Sequence, residues 1–390
     1  MVFLPVIKIP KPDFMDNEEL NIFETSVQRS FDSIVSDGDV RKWRDLGTVP
    51  RDVWTRVGEA GLLGVSIPQH YGGGGGDFRH EVVIMQELAR RDATGFAIPL
   101  HNAVVAPYIV EHATEQLKSH WLGQAATGEK LLAVAMTEPA AGSDLQGIRT
   151  VARRDGDHYV INGQKTFISN GLHADIIVVA VKTNPEAGAK GISLLVVETD
   201  KAEGFSRGKL LDKLGQESRD TSELFFSDVR VPVENLLGGS EGQGFRMLME
   251  NLPQERMVIA WLAMGMIESA LEHTMSYVKE RKAFGKPLFA QQNTQFKLAE
   301  CVAKATQTKV FVQYCTQLLV EKRLDAPTAS MAKLLATETQ AEIIDTCLQL
   351  FGGYGYMREY PIAEMYRDAR GFRIYGGTSE IMKIIIARSL

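Results

Sequence analysis

The hydrophobic pattern of this 390-residue chain changes period twice, and that change restricts its possible folds more than any other feature. Up to about residue 132, apolar residues recur at helical spacing, as in Glu81 to Asp92 and Ala103 to Ala113. From about 133 to 240 the runs turn short, β-branched and aromatic: HYVINGQKTFIS, DIIVVAVKT, GISLLVVETD and SELFFSDVRVP. Asp155-Gly156 and Asn162-Gly163 punctuate them as turn signals. From about 241 helical spacing returns in long stretches: Gln254 to Phe284, Thr294 to Lys322, Ala326 to Phe351 and Ser379 to Ala387. The expected fold is therefore α+β and mostly α. It has an N-terminal helical domain (1–132), a middle β-barrel or sandwich domain (133–240) and a C-terminal four-helix bundle (241–390). Neither an alternating βαβ pattern nor a solenoid period is present, so a Rossmann sheet is not expected.

Composition narrows the function. Lys plus Arg is 43 against 49 Asp plus Glu, a formal charge of −6, and the pI near 5.8 argues against general nucleic-acid binding. Hydrophobic residues make up 44%, enough for a large buried core and too many for a disordered chain. No apolar run reaches the roughly 18–20 residues of a membrane span. The three cysteines, Cys301, Cys315 and Cys347, are widely spaced with no CxxC pair, so neither a disulfide framework nor a thiolate zinc site is expected. The opening MVFLPVIKIPKPDF is broken by Pro5, Pro10 and Pro12 and followed by acidic residues. It reads as a short extended arm without a targeting signal, and a cytoplasmic location is expected. The eight histidines are scattered without a metal-ligand spacing, so no metal is expected.

The glycine clusters divide in two. Gly72 to Gly76 lacks the strand and the Lys-Ser/Thr of a phosphate cradle, so it is read as a flexible loop before a helix starting near Phe78. Gly352-Gly353 and Gly376-Gly377 lie beside aromatic residues between helical stretches. Each pair fits either a close approach to a flat ligand or a helix C-cap.

Four segments carry a resemblance when taken together. They are MTEPAAGSD (Met136 to Asp144), FISNG (Phe167 to Gly171), RKAFGKPL (Arg281 to Leu288, with Gln292 after it), and QLFGGYGY (Gln349 to Tyr356) followed by YRDARGFRIYGGTSEIM (Tyr366 to Met382). In this order and spacing they resemble the acyl-CoA dehydrogenase family over essentially the whole chain. The resemblance implies FAD held between the β domain and the C-terminal helices. The loop with Met136, Thr137, Gly142 and Ser143 and the strand with Phe167, Ile168 and Ser169 would hold the isoalloxazine ring. Many members have tryptophan where this chain has Phe167. Arg281, Phe284, Gln292, Gln349, Gly352 and Gly353 would meet the FAD of a neighbouring subunit, Arg281 pairing with its pyrophosphate. Thr378 and Glu380 match contacts to the subunit's own FAD. A shared cofactor implies a homo-oligomer, a tetramer in most relatives.

The family's reaction removes a proton α to a thioester and a hydride from the β carbon, so it needs a carboxylate at the α carbon. In most members that glutamate follows the tyrosine of a YEGTS motif; here the motif reads Tyr375-Gly376-Gly377-Thr378-Ser379. The long-chain and isovaleryl branches also lack it and supply the base from the long helix opening the C-terminal domain. In NLPQERMVIAW, Glu255 falls on that position. Alone, Glu255 reads as an early-helix glutamate favoured by the dipole, because Pro253 suits a first turn. Joined to the glycine at 376, it reads as the base. In the family, the backbone N–H of Gly376 and a ribityl hydroxyl bond the thioester carbonyl. Ser143, Arg256, Tyr375 and Gly376 match substrate contacts, and Phe96 to Val105 is the expected region for chain-length selection. The implied function is dehydrogenation of a fatty acyl-CoA to the trans-2-enoyl-CoA, with electrons passed to an electron-transfer flavoprotein. A branched-chain acyl-CoA dehydrogenase, an oxidase or monooxygenase on the same fold, and a non-catalytic binding protein are the alternatives.

Overall fold

The computed structural model describes residues 6–36 and 38–390, so the first five residues of the expected N-terminal arm lie outside the described residues. Six helices come first: α1 Glu18–Ile34, α2 Asp39–Leu46, α3 Arg51–Glu59, α4 Phe78–Arg90, α5 Ala106–His112 and α6 Glu115–Ala126. A π-helical turn, Leu100–Val105, leads into α5. Seven strands follow: β1 Leu132–Ala135, β2 Val151–Asp155, β3 His158–Ser169, β4 Ile176–Lys182, β5 Ile192–Glu198, β6 Phe205–Leu210 and β7 Thr221–Pro232. Then come α7 Gly244–Glu280, a small hairpin of β8 Lys282–Ala283 and β9 Lys286–Pro287, and α8 Gln292–Val320, α9 Ala326–Phe351, α10 Pro361–Phe372 and α11 Ser379–Ala387. Side chains of Asn17, Asp77, Thr114, Asp325 and Thr378 cap α1, α4, α6, α9 and α11, each accepting from a first-turn N–H.

The seven strands form one sheet of order β1-β4-β2-β3-β7-β6, with β5 on the other edge of β4. β4 is the pivot. It pairs in parallel with β1 and, at Lys182, with β2, and antiparallel with β5. Its continuous apolar run reflects burial on both faces. Ile176, Val178 and Ala180 join the core shared with α5, α6 and α7, while Ile177, Val179 and Val181 face an interior closed by Leu224, Phe226 and Val229. A third cluster, with Phe31, Trp43, Trp54 and Phe96, belongs to the N-terminal helices.

α7 organises the helical half. Every residue from Glu255 to Ile267 is buried, because α4, α8, α9 and α10 surround it. Trp261 Nε1 donates to Thr316 Oγ1 of α8 at 2.7 Å. A buried ionic cluster ties the three regions together. Arg44 of α2 donates to Asp368 of α10 and to Glu217 in the segment before β7, and the Gln216 N–H also donates to Asp368.

The structure corrects three local expectations. α7 starts at Gly244, ten residues earlier than expected, so Pro253 sits inside the helix and not in its first turn. Packing on all sides outweighs the one lost backbone bond. The glycine run is an ordered strap: Gly74, Gly75 and Gly76 donate to the carbonyls of Gly64, Ile67 and Val65. A Cβ at Gly73 would stand 2.3 Å from the Ile67 carbonyl oxygen, so close backbone approach is what demands glycine there. Asn162-Gly163 is no turn but lies within β3, where Ser227 and Asp228 of β7 bulge opposite Asn162. Asp155-Gly156 does turn the chain between β2 and β3. The short β1, the charged β2, the polar edge strand β6 and the helix α10 were not expected from pattern.

Candidate active site

Glu255 lies on the buried stretch of α7 and is 8% exposed. Tyr108 of α5 donates its hydroxyl to Glu255 Oε1 at 2.7 Å. Burial pushes the Glu255 carboxyl up to about 7, against the Tyr108 hydrogen bond and the neighbouring Arg256 charge, which both favour the anion. A carboxylate poised near neutrality suits proton abstraction. Burial and the Glu255 charge hold the Tyr108 phenol well above its ordinary range, so it stays a donor.

One turn along the same face, Ile259 meets the loop between α10 and α11. A Cβ on Gly376 would stand 2.3 Å from Ile259 Cδ1, and Gly376 has φ +63. A side chain at 376 therefore meets both a left-handed backbone and an occupied volume. The structure thus sets the Gly376 loop against Ile259, one turn of α7 beyond Glu255. The loop is anchored by Lys333 of α9, whose Nζ donates to the Tyr375 carbonyl at 2.7 Å and to the Gly377 carbonyl. Burial, then the Arg256 charge, pull the Lys333 pKa down to about 7. The Tyr375 ring packs on Phe372 and under the Arg219 guanidinium. Arg256 is 3% exposed; its Nη1 reaches the Ala326 carbonyl at 3.4 Å and its Nε has no partner among the described residues.

The loop after β1 is built on a buried ion pair. Lys165 Nζ donates to Glu138 Oε1 at 2.8 Å and to the Met136 carbonyl at 3.0 Å. Glu138 also accepts from the N–H groups of Arg149 and Thr150. Burial opposes ionisation of Glu138, yet the Lys165 ammonium and these donors hold its carboxyl below the ordinary range. The Thr166 N–H donates to the Thr137 carbonyl at 2.9 Å, joining the loop to β3. There β3 bulges: Thr166 and Phe167 lie between the Lys165↔Leu224 and Ile168↔Ser222 pairs, and Phe167 has φ +59. The bulge turns the Phe167 ring outward, 68% exposed, beside Met136 and Thr137. Ile168 points the other way, into the β-domain interior. Gly142 and Ser143 are exposed on the same loop, Ser169 is half-buried, and Thr378 and Glu380 open α11. An aromatic ring presented to solvent by a strained bulge, next to exposed loop backbone, fits one face of a flavin.

A second group gathers around the C-terminal end of α7. Tyr277, Arg281, Gln349, Gly352, Gly353 and Tyr354 line a crevice of about 560 Å³. The Arg281 guanidinium lies 5.3 Å from the Tyr354 ring centroid and has no carboxylate partner among the described residues. Phe284, with Gly285, forms the β8–β9 turn and is 96% exposed; Gln292, the first residue of α8, is exposed too. Gly352 does cap α9, and space is open where a side chain would stand at Gly352 and Gly353. Among the described residues no group of three or more His, Cys, Asp or Glu is placed to hold a metal ion, and no helix is long and apolar enough to cross a membrane.

Sequence reasoning missed three contributors. Tyr108 was a phenol in an apolar helical stretch, and Lys333 a lone cation in the small-residue stripe of α9 between Ala332 and Ala336. A charge at a core position was the available signal. Glu138 stood inside a quoted motif, but its partner Lys165 lies 27 residues on, beyond local pattern. Conversely, much of the expected chain-length region is structural. Phe96 packs edge-on to Trp43 and Trp54, and His101 bridges the Ala125 carbonyl and the Leu132 N–H. Asn102 bonds Leu62, Gly64 and Glu81.

Comparison with known proteins matches the chain in three consecutive parts. Residues 17–129, 133–229 and 242–390 match the family models described as acyl-CoA dehydrogenase N-terminal, middle and C-terminal domain. The chain is 46% identical over 376 residues to the mitochondrial long-chain specific acyl-CoA dehydrogenase of Sus scrofa, covering 96% of this chain and 87% of that one. An acyl-CoA dehydrogenase from Geobacillus kaustophilus has a similar structure, with a TM-score of 0.92 at 45% identity, covering 96% of this chain and 98% of the other. A Mycobacterium smegmatis glutaryl-CoA dehydrogenase in complex with FADH2 aligns with a TM-score of 0.89 at 28% identity, covering 97% and 95%.

Proposed function

This chain belongs to the acyl-CoA dehydrogenase family, and from that premise we propose that it oxidises a long-chain fatty acyl-CoA to the trans-2-enoyl-CoA with Glu255 as the base. It is an FAD-dependent enzyme, and its similarity to long-chain dehydrogenases supports that branch. Bound FAD would supply the acceptor for the hydride removed from the β carbon.

The chain's own residues supply the rest. The Glu255 carboxylate takes the α proton. Its burial keeps its proton affinity near that of a neutral base, and the Tyr108 hydroxyl holds the accepting group in one orientation. The Gly376 N–H donates to the thioester carbonyl and stabilises the enolate-like charge that builds as the proton leaves, an effect typically worth several kcal/mol. Tyr375 contributes its peptide carbonyl to the anchored loop, and Arg256, whose Nε has no partner among the described residues, and Ser143 are the donors proposed for the CoA end. Met136, Thr137, Gly142, Ser143, Phe167, Ile168 and Ser169 hold the ring, with Thr378 and Glu380 at the same cofactor. Arg281, Phe284, Gln292, Gln349, Gly352 and Gly353 reach the FAD of a neighbouring subunit in a homotetramer. Arg281 there is an exposed, uncompensated guanidinium suited to pyrophosphate. Electrons leave to an electron-transfer flavoprotein.

The observation carrying this reading is the buried Glu255, hydrogen-bonded to Tyr108 and one helical turn from the residue that packs on Gly376. Anaerobic titration with octanoyl-, palmitoyl- and isovaleryl-CoA tests it. Wild type bleaches its flavin band, most readily with palmitoyl-CoA, and Glu255→Gln keeps its flavin but bleaches at least 100-fold more slowly. Bleaching at the wild-type rate in Glu255→Gln refutes the assignment of the base.

A further inference from the structure

Gly376 has an unusual setting for a residue asked to hold a developing negative charge. Its N–H has no acceptor among the described residues. Its φ of +63 lies in the region glycine visits freely, so nothing in its own covalent structure aims that N–H. The aim comes from Lys333. This side chain is 1% exposed and enters from α9, and its Nζ donates to the carbonyls of Tyr375 and Gly377, the residues on either side of Gly376. No carboxylate pairs with Lys333 among the described residues; the nearest named charge is the guanidinium of Arg256.

The first of these bonds has a chemical consequence. The Tyr375 carbonyl and the Gly376 N–H belong to the same planar peptide group. In its ammonium form, which prevails below its pKa of about 7, Lys333 donating to the oxygen of this amide draws electron density from its nitrogen and makes the N–H a stronger donor. Hydrogen bonds with one ionised partner are roughly twice as strong as neutral ones, so this polarisation exceeds that of an ordinary backbone pair. The second bond, to the Gly377 carbonyl of the following Gly377–Thr378 peptide, pins the loop on the other side of Gly376. We propose that Lys333 is a positioning residue that aims the Gly376 N–H at the thioester carbonyl and, through the Tyr375–Gly376 peptide, carries its charge to the site where the enolate forms. The inference rests on the proposed reaction and deepens it. Lys333 touches neither substrate nor cofactor and acts through one peptide group.

The readout is the thioester carbonyl itself. An acyl-CoA with sulfur in place of the β carbon has no hydride to lose and gives a stable complex. With ¹³C at its carbonyl, isotope-edited infrared spectroscopy reads the C=O stretch, and the long-wavelength absorption against oxidised flavin reads ionisation at the α carbon. Three variants, Lys333→Met, Lys333→Gln and Lys333→Arg, are compared with wild type as flavin-loaded proteins. The expected order of carbonyl red-shift and of long-wavelength absorption is wild type, Arg, Gln, Met. With an oxidisable acyl-CoA, kcat falls about 10- to 100-fold in Lys333→Met while KM stays within about threefold, below the loss for deleting an oxyanion donor outright. Arg recovers part of that loss. Should Lys333→Met not fold, the Arg and Gln variants carry the test, since both can donate and only one is charged. A carbonyl stretch that is the same in wild type, Arg and Gln overturns the relay. A wild-type protein that neither bleaches with any acyl-CoA nor shifts the carbonyl overturns the proposed reaction instead, so the two failures are distinguishable.

Discussion

Replacing Tyr108 with phenylalanine removes one oxygen atom and isolates the device that sets the proton affinity of Glu255. The 2.7 Å bond from Tyr108 runs to a buried carboxylate whose other stabilising neighbour is the Arg256 charge. A hydrogen bond to a charged group contributes about 1.5–3 kcal/mol. At 1.36 kcal/mol per pKa unit, its loss raises the Glu255 pKa by about 1–2 units. The starting value is about 7, so the variant titrates near 8–9. At pH 7 the ionised fraction drops from about one half to between about one-tenth and one-hundredth, and kcat/KM falls about 5- to 50-fold. The loss shrinks as pH rises, and by about pH 10 the two proteins converge. The assay is the pH profile of kcat/KM, which reports the free enzyme, measured beside that of kcat, which reports the substrate complex.

Stability supplies an independent arm. Glu255 has a folded pKa raised above its model value of 4.5, so the folded state holds its proton more tightly than the unfolded chain does. Stability is therefore lost as pH rises from about 4.5 through the folded pKa, by about 3 kcal/mol at the plateau. In Tyr108→Phe the plateau is deeper and reached later, so its urea midpoint matches wild type more closely at pH 5.5 than at pH 9.5. An acid limb superimposable on that of wild type, or a loss of kcat/KM equal at every pH, refutes the reasoning and leaves Tyr108 a packing residue.

Three further outcomes follow from the geometry. In a Glu255→Gln background, Gly376→Glu does not restore bleaching, because its Cβ would meet Ile259 Cδ1 at 2.3 Å and its backbone is left-handed, a strain of about 1–2 kcal/mol. Adding Ile259→Val, which deletes that methyl, recovers part of the rate; recovery without it contradicts the steric account. Glu138→Gln leaves the Lys165 ammonium buried without its counter-charge and lowers unfolding free energy by about 3–5 kcal/mol in urea titrations, with a parallel fall in FAD per protein. Arg281→Ala, at an exposed position, changes stability by no more than about 0.5 kcal/mol, yet FAD is lost on gel filtration; full flavin retention argues against a pyrophosphate contact.

Period and composition carried the fold a long way. α9 and α11 span the expected residues, and β3 and β7 follow the runs quoted for them. These are long, regular segments whose own side chains decide helix against strand. The elements that escaped notice, β1, β2 and β6, are short, charged or at an edge, and exist because neighbouring strands offer them hydrogen bonds. The early start of α7 and the ordered glycine strap have the same origin: packing partners distant in sequence overrule local preference.

The site divides in the same way. The motifs around Met136, Phe167, Arg281 and Tyr375, and the proposal of Glu255 in place of a glutamate at 376, were readable through the resemblance to the family, because motifs held in contiguous runs can be matched residue by residue. Tyr108 and Lys333 were not. Their importance depends on which groups they meet: Tyr108 lies 147 residues before the carboxylate it bonds, and Lys333 is 42 residues from the first carbonyl it holds. The sequence by itself determined which groups could react. The tertiary structure alone decided their proton affinities and their aim, because burial, a neighbouring charge and a hydrogen bond from another helix are properties of the packed chain and not of any segment of it.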